Sequence, residues 1–285
     1  MLPEQIIKKI QSFLHLEITG LYPQSGGDIN EASILTFETG SKYFLKWNAS
    51  ASDSMFETET KGLELISNAK TELVIPDVIL YGKSFLLMSV VDHEPGNSDS
   101  DFNFGIELAK LHRHTSDFFG LNHDNFIGKL YQKNTLHHKW ADFFISERVE
   151  PQIKLGIDSG TFSNSIIGKI RRLSSNIDNI FPKEPSALLH GDLWSGNYMF
   201  TKNGKASVYD PAVYYGHREM DLAMTRLFGG FSSEFYEGYN SYYPLSDGFE
   251  QRITLCNLYP ILVHANLFGG GYVNQAFKII DRFGS

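Results

Sequence analysis

Apolar residues recur at helical spacing between Met1 and Glu17, with Lys8 and Lys9 among them, which predicts an amphipathic helix. The texture then changes to short apolar runs separated by turn residues. Gly20 to Pro23, Ser33 to Phe37 and Lys42 to Trp47 read as antiparallel strands, the last two divided by the turn Glu38-Thr39-Gly40-Ser41. Helical spacing returns from Ser54 to Asn68, with Met55, Leu63, Leu65 and Ile66 as inward positions. Two further strands, Val78 to Tyr81 and Ser84 to Val91, are joined by Gly82-Lys83. Beyond Val91 the pattern is mostly helical. Helices are expected over Asp99–Thr115, Thr135–Leu155, Thr161–Asn179, Glu219–Leu227, Ser233–Tyr243 and Phe249–Phe268. The linker Val91 to Ser98, with Pro95 and Gly96, separates the two textures. The expectation is an α+β protein of two lobes, a sheet-rich one over residues 1–91 and a larger, mainly helical one over 92–285.

One stretch within the helical part breaks the pattern and carries chemistry. His190-Gly191-Asp192 ends an apolar run, Asn197 follows Asp192 by five positions, and Asp210 follows Asn197 by thirteen. Between them, Tyr198-Met199-Phe200 and Ala206-Ser207-Val208-Tyr209 read as strands joined by Lys202-Asn203-Gly204-Lys205, an Asn-Gly turn. A hairpin folds its ends together, so Asn197 and Asp210 converge. A carboxylate to meet an attacking hydroxyl, with an amide oxygen and a second carboxylate to hold magnesium, is what phosphoryl transfer requires. The competing reading is an Asx turn before a hairpin with an incidental aspartate. The bilobal layout, reached without this motif, is also that of a kinase.

Such a site needs three parts from the small lobe: a loop over the phosphates, a lysine on the third strand and a helix acid to orient it. Gly26, Gly27, Asp28, Ile29 and Asn30 lie between the first two strands, where backbone N–H groups can approach phosphate oxygens. Lys46 sits inside the apolar run Tyr43 to Trp47, where a lysine is costly without a partner; otherwise it is an edge-strand lysine facing solvent. Glu57 and Glu59 open the following helix two positions apart and so face different sides. Glu59 is the expected partner of Lys46, and Glu57 a solvated first-turn acid. Met88, Ser89 and Val90 are placed as the hinge whose backbone meets an adenine ring, or else simply as a buried strand. Gly128-Lys129 and Gly168-Lys169 lack the remainder of a Walker A motif.

Composition narrows the partners. The 285 residues are 42% hydrophobic and 20% charged, ordinary for a globular protein with a full core. A formal charge of −8 and the lack of a Lys/Arg stripe argue against nucleic acid. No apolar run reaches a membrane-spanning length, so no membrane is expected as a partner. Cys256 is the single cysteine and the N-terminus lacks the features of a signal peptide, so a cytoplasmic setting is expected. Asn48-Ala49-Ser50 is accordingly a chance glycosylation match. His112 and His114, or His137 and His138, lack the i, i+4 pairing of a helical zinc site and are expected at the surface.

Longer stretches carry a family resemblance. Gly26 to Ala32, Phe56-Glu57-Thr58-Glu59, Leu108 to His112, Asp124 to Gly128 and His190 to Asn197 each contribute. Glu219-Met220-Asp221-Leu222-Ala223-Met224-Thr225-Arg226-Leu227-Phe228-Gly229-Gly230-Phe231 and Asn266 to Tyr272 are the most specific. In order and nearly end to end, they resemble the fructosamine kinase (ketosamine 3-kinase) family, on the aminoglycoside and choline kinase branch of the protein-kinase-like fold. The resemblance implies Asp192 as catalytic base, Asn197 and Asp210 as magnesium ligands, and Lys46 on the ATP phosphates, held by Glu59. It implies transfer to the 3-hydroxyl of a sugar joined to an amine, free or on a protein, as a step in protein deglycation. Trp194, between base and metal ligand, is a candidate wall of the sugar pocket or else a core-packing indole; Tyr214, His217 and Phe228 are further candidate substrate contacts, and Asp221 is expected to brace the catalytic loop through backbone N–H bonds. Two departures stand out: Asp28 replaces the phosphate-loop cysteine of some relatives, and Asp210-Pro211-Ala212 replaces the Asp-Phe-Gly of protein kinases. A small-molecule kinase with another acceptor, and a nucleotide-binding pseudokinase, are the alternatives.

Overall fold

The computed structural model describes residues 2–24 and 29–284. Helix α1 (Glu4–Leu14) is followed by strands β1 (Ile18–Gln24), β2 (Glu31–Phe37) and β3 (Lys42–Trp47), helix α2 (Met55–Asn68), and strands β4 (Val78–Gly82) and β5 (Phe85–Ser89). The strands form one antiparallel sheet in the order β1-β2-β3-β5-β4. The two-residue period of β3 decides what each face does. Leu45 and Trp47 face α1, in a core with Ile6, Ile10, Leu35, Phe37, Phe85 and Leu87. Phe44 lies on the opposite face with Leu86, Met88 and the α2 residues Phe56 and Leu63. Lys46 shares that second face, and this is how a lysine in an apolar strand comes to look at α2.

The remaining chain is mainly helical. It runs through α3 (Ser98–Leu111), β6 (Thr115–Ser116), the hairpin β7 (Asn125–Ile127) and β8 (Leu130–Gln132), α4 (Trp140–Phe143), α5 (Glu150–Asp158) and α6 (Ile166–Asn176). Then come β9 (Ser186–Leu189), β10 (Tyr198–Phe200), β11 (Ala206–Val208), β12 (Tyr214–Gly216), α7 (Glu219–Leu227), α8 (Ser233–Tyr242), α9 (Phe249–Cys256), α10 (Leu258–Phe268) and α11 (Gly271–Phe283). Buried β9 is the middle strand of a β12-β9-β6 sheet and delivers the chain directly to His190. Helix α10 is buried almost all round and forms the centre of the larger core, with α5, α6 and α11 about it. Helices α3 and α8 cross at closest approach, because Gly105 and Gly238 each bring the partner's backbone into the space of a Cβ.

The two regions are not separate packing units. Ile66, Ala69 and Leu73 pack into the core of Phe104, Leu108, Phe200 and Phe235. Val74 is stitched to β11: its N–H donates to Ala206 O at 2.9 Å, and Val208 N–H donates to Val74 O at 3.1 Å.

The structure redraws several expected helices. The Asp99–Thr115 helix stops at Leu111, because Thr115 and Ser116 pair with β9 as a strand. Thr135–Leu155 is helical only from Trp140; His137 instead exchanges two backbone bonds with Phe119, each 2.9 Å, and residues Phe144–Val149 widen into a π turn. The expected Thr161–Asn179 helix is regular over Ile166–Asn176 and tightens to a 3₁₀ turn over Ile177–Asn179. Phe249–Phe268 is two helices broken at Asn257, and Pro260 falls in the first turn of the second, where its missing N–H does no harm.

Candidate active site

The loop after β9 is held from below by one carboxylate. Asp221, buried in α7, accepts the N–H of His190 at 2.7 Å on Oδ2 and that of Gly191 at 2.9 Å on Oδ1. Burial opposes its charge, but the bonds it accepts from His112 and the Gly191 N–H hold its carboxyl below the ordinary range. Gly191 has φ +82°, and a side chain there would strike Ala212 O. His190 links two parts of the loop system. Its Nε2 lies 3.0 Å from Tyr209 O, which can only accept, so Nε2 carries the proton. Nδ1 is then free to accept Asp192 N–H at 3.3 Å, and burial lowers the ring's pKa, favouring this neutral form.

Asp192 itself is pushed up to about 7, chiefly by burial and then by the nearby Asp210 charge, with Asn197 opposing. Asn197 donates its side-chain N–H to Asp192 O at 2.8 Å and to Asp192 Oδ2 at 3.2 Å. Its side-chain oxygen is therefore the atom left for a cation. The β10–β11 hairpin, closed by Tyr209 N–H to Asn197 O at 3.1 Å, returns the chain to Asp210. Asp210 adopts φ +56°, uncommon outside glycine and met most often in asparagine and aspartate.

Lys46 closes the group. Its Nζ lies 3.0 Å from both Glu59 oxygens and 2.8 Å from Asp210 Oδ1. Burial alone would depress the lysine's pKa, but the two carboxylates overcome it and hold the ammonium charged. Glu59 is raised by the same burial, with Lys46 opposing. Glu57 faces away and bonds Lys61 at 2.7 Å along the helix. Helix α2 is seated by Gly62, where a Cβ would lie 3.3 Å from both Pro211 and Val213.

Of the candidate phosphate loop, Gly26, Gly27 and Asp28 lie outside the described residues. Asn48 Nδ2 donates to Ile29 O and to Asn30 Oδ1, each at 3.1 Å. Met88 is buried in β5 opposite Phe44, the Ser89 hydroxyl accepts Asp77 N–H at 2.8 Å, and Val90 is half-buried just past the strand.

Beside Asp192 stands an aromatic wall. The Trp194 and Phe228 ring centres are 6.1 Å apart, and Phe228 is 5.1 Å from the ring of His264, which lies 5.0 Å from Tyr272 and 5.6 Å from Phe268. Phe228 and Phe268 remain exposed, as the rim of a binding surface would. Phe268 and Tyr272 lie in the family-specific stretch Asn266 to Tyr272, but neither they nor His264 are among the substrate contacts expected from the sequence. The available signal was a histidine inside the apolar run Leu258–Phe268.

Tyr214 and His217 must be withdrawn as substrate contacts. Tyr214 is 1% exposed, stacked on Phe143 at 5.5 Å and lying 4.0 Å from the Arg148 guanidinium. His217, equally buried, packs between Trp140 and Phe181 and bonds Pro182 O. Strand β12 pairs with β9 and sends Tyr214 into the core, and His217, just past its end, is buried against Trp140 and Phe181. His112 is likewise no surface residue. It is buried with Nδ1 2.8 Å from Tyr239 OH and Nε2 3.2 Å from Asp221 Oδ2, a second tier beneath the loop after β9. His137 bonds Glu147 at 3.0 Å.

Chemically, the group offers a carboxylate poised near neutrality, two hard oxygen ligands from Asn197 and Asp210 suited to a divalent cation, and an ammonium fixed between two acids. Known proteins share this fold and much of this sequence. A solved structure from Thermobifida fusca, assigned provisionally as a fructosamine-3-kinase, superposes with a TM-score of 0.88 at 29% identity, covering 98% of each chain. The gentamicin complex of APH(2")-IIa shares the fold, with a TM-score of 0.65 at 16% identity over 99% of this chain and 96% of that one. A Vibrio parahaemolyticus protein named "Probable ketoamine kinase" is 39% identical over 272 residues, 93% of each chain. The chloroplastic protein-ribulosamine 3-kinase of Arabidopsis thaliana is 38% identical over 277 residues, 94% of this chain and 83% of that one. The sequence profile of the family described as "Fructosamine kinase" matches residues 3–284, and with that end-to-end agreement the chain belongs to the fructosamine kinase family.

Proposed function

We propose that this protein transfers the γ-phosphoryl group of ATP to the 3-hydroxyl of a ketosamine, a ribulosamine or fructosamine adduct on an amine or a protein lysine. The observation that carries the reading is Lys46, fixed between Glu59 and Asp210 on one side of the group that holds Asp192 and Asn197. In this reading Asp192 receives the hydroxyl proton as the new O–P bond forms and the bond to ADP breaks. A carboxyl of ordinary pKa would be a weaker base; one near 7 accepts the proton and returns it to solvent at neutral pH. Lys46 meets the α- and β-phosphates, and Glu59 holds its ammonium in place from the α2 side. Residues Gly26 to Asn30 cover the phosphates, and the backbone of Met88, Ser89 and Val90 receives the adenine. Asn197 and Asp210 would hold Mg2+, which supplies charge neutralisation at the phosphates. Trp194 and Phe228 form the wall against which the sugar lies. Residues 1–91 serve as the nucleotide lobe and 92–285 as the catalytic and acceptor lobe.

The family names support the acceptor class, and the phosphorylated adduct is an intermediate of deglycation in this reading. Net charge of −8 is unsuited to nucleic acid, and no helix among the described residues is long and apolar enough to cross a membrane. We place the reaction in the cytoplasm.

The test is ADP release with Mg-ATP across ribulosyl-lysine, fructosyl-lysine, unmodified lysine, choline and an aminoglycoside. Turnover is expected with the two adducts alone. Asp192→Ala should lower kcat by at least about 100-fold, the usual scale of general-base catalysis. Turnover with choline or the aminoglycoside and none with either adduct would replace the acceptor class. Wild-type kcat in Asp192→Ala would remove the base.

A further inference from the structure

The short hairpin β7–β8 touches the site without contributing a residue to it. Its amide side chains are fully buried and point at the segment that follows Asp210. Asn125 Nδ2 donates to Val213 O at 2.9 Å, and Gln132 Nε2 donates to Ala212 O at 3.1 Å and to Asn125 Oδ1 at 2.8 Å. Behind them, Asn134 Nδ2 donates to Asn125 Oδ1 at 2.9 Å, Arg148 Nη2 donates to Asn134 Oδ1 at 2.6 Å, and Tyr259 OH donates to Gln132 Oε1 at 2.7 Å. The orientation of each amide is forced. Ala212 O and Val213 O can only accept, so both amides must present nitrogen to the segment and oxygen to the network behind. The hairpin tip at Gly128 packs closely beneath the side chains of Ile29 and Leu267. A Cβ there would lie 2.6 Å from Ile29 Cδ1 and 3.5 Å from Leu267 Cδ1.

Asp210 sits at positive φ, a conformation that persists only where the surrounding structure dictates it. Upstream it is held by the β10–β11 hairpin. Downstream, Ala212 N–H donates to His190 O at 2.9 Å, and the carbonyls of Ala212 and Val213 are held by Gln132 and Asn125. We propose that Asn125 and Gln132 are positioning residues that fix the Asp210 carboxylate for catalysis, the hairpin acting as a permanent clamp where protein kinases have a switchable segment. This rests on the reading of Asp210 as a ligand of the nucleotide-bound cation.

Gln132→Met keeps the side-chain volume and removes both donors. Tyr259→Phe removes one bond to the same glutamine but leaves its donors in place, and so controls for lost stability. Expected for Gln132→Met is a kcat at least tenfold lower with acceptor KM within twofold of wild type. Calorimetric ADP affinity should weaken about tenfold with Mg2+ present and stay unchanged without it. Amide exchange at residues 211–213 should accelerate. Tyr259→Phe should keep kcat within twofold at a comparable loss of Tm. If Gln132→Met does not fold, Asn125→Asp removes one donor to Val213 and keeps both acceptor roles, and the same shifts are expected. Wild-type kcat and wild-type Mg·ADP affinity in the folded variant, whatever its Tm, would reduce the network to packing. Asp210→Asn is measured alongside: undiminished turnover there overturns the metal assignment itself, an outcome distinct from failure of the clamp.

Discussion

Asp192 puts activity and stability in opposition. Its carboxyl rises from an ordinary 3.8 to about 7 in the folded chain. Between those pH values the folded state holds a proton that the unfolded state has released, so stability falls as pH rises through the window. Activity runs the other way, because only the carboxylate accepts a proton. kcat/KM should therefore show an acid limb with its inflection near pH 7 in the free enzyme. Asp192→Asn should melt higher than wild type above pH 7, with the difference shrinking toward pH 4; a difference of opposite sign at pH 8 would contradict the origin assigned to the shift. The same residues show what a sequence can carry. That Asp192, Asn197, Asp210, Lys46 and Glu59 come together is readable in the sequence, because their chemistry is costly without partners and their spacing supplies those partners. Tyr214, His217 and His112 were misread because their surroundings are set by a strand pairing and a helix crossing far off in sequence. Nothing in Leu111-His112 announces Tyr239 or Asp221, which lie 127 and 109 positions away.

At the scale of elements, periodicity located the long helices and the sheet of the first ninety residues. It failed where elements were short. Strands β6, β7 and β8 have two or three residues each, too few for a two-residue period to register, and their existence is decided by neighbours. Helix ends moved for a related reason, since the chain leaves a helix wherever a strand partner or an aromatic cluster claims it. The α3–α8 crossing depends on glycine for closeness alone, with no need of an unusual backbone angle. A methyl at Gly105 would meet the carbonyl oxygen of Phe235, which cannot rotate away. Gly105→Ala should therefore destabilise by more than about 2 kcal/mol, at the upper end of overpacking costs, in urea unfolding followed by far-UV circular dichroism. A change below ~0.5 kcal/mol would mean the helices separate easily. Because His112 follows directly on α3 and α8 carries Tyr239, the variant should also lower kcat more than it raises either KM.

For the molecule as a whole, the nucleotide is expected to act as a cross-brace. Lys46 on β3, Asp210 after β11 and Asp192, the proposed base, come from distant parts of the chain, and Mg·ADP would touch the first two together. Ligand linkage gives about 2.7 kcal/mol at a hundredfold excess over Kd. For a chain of this size that corresponds to a rise in Tm of roughly 5–10 °C. Lys46→Met should abolish most of that rise while leaving the ligand-free Tm within a few degrees, measured by differential scanning fluorimetry. An undiminished rise would place the nucleotide elsewhere.

Val74, stitched into β11, bears on how the chain could be divided. A break in the linker between Val91 and Ser98 would sever one covalent connection yet leave the residue 73–75 seam and the shared α2 packing as a ready-made recognition surface. Neither fragment would bury its half of that seam alone. Produced together, the two pieces would have an edge-to-edge template for finding one another. The interlobe seam thus makes this enzyme a candidate split reporter, reassembling by complementation rather than behaving as two exchangeable modules.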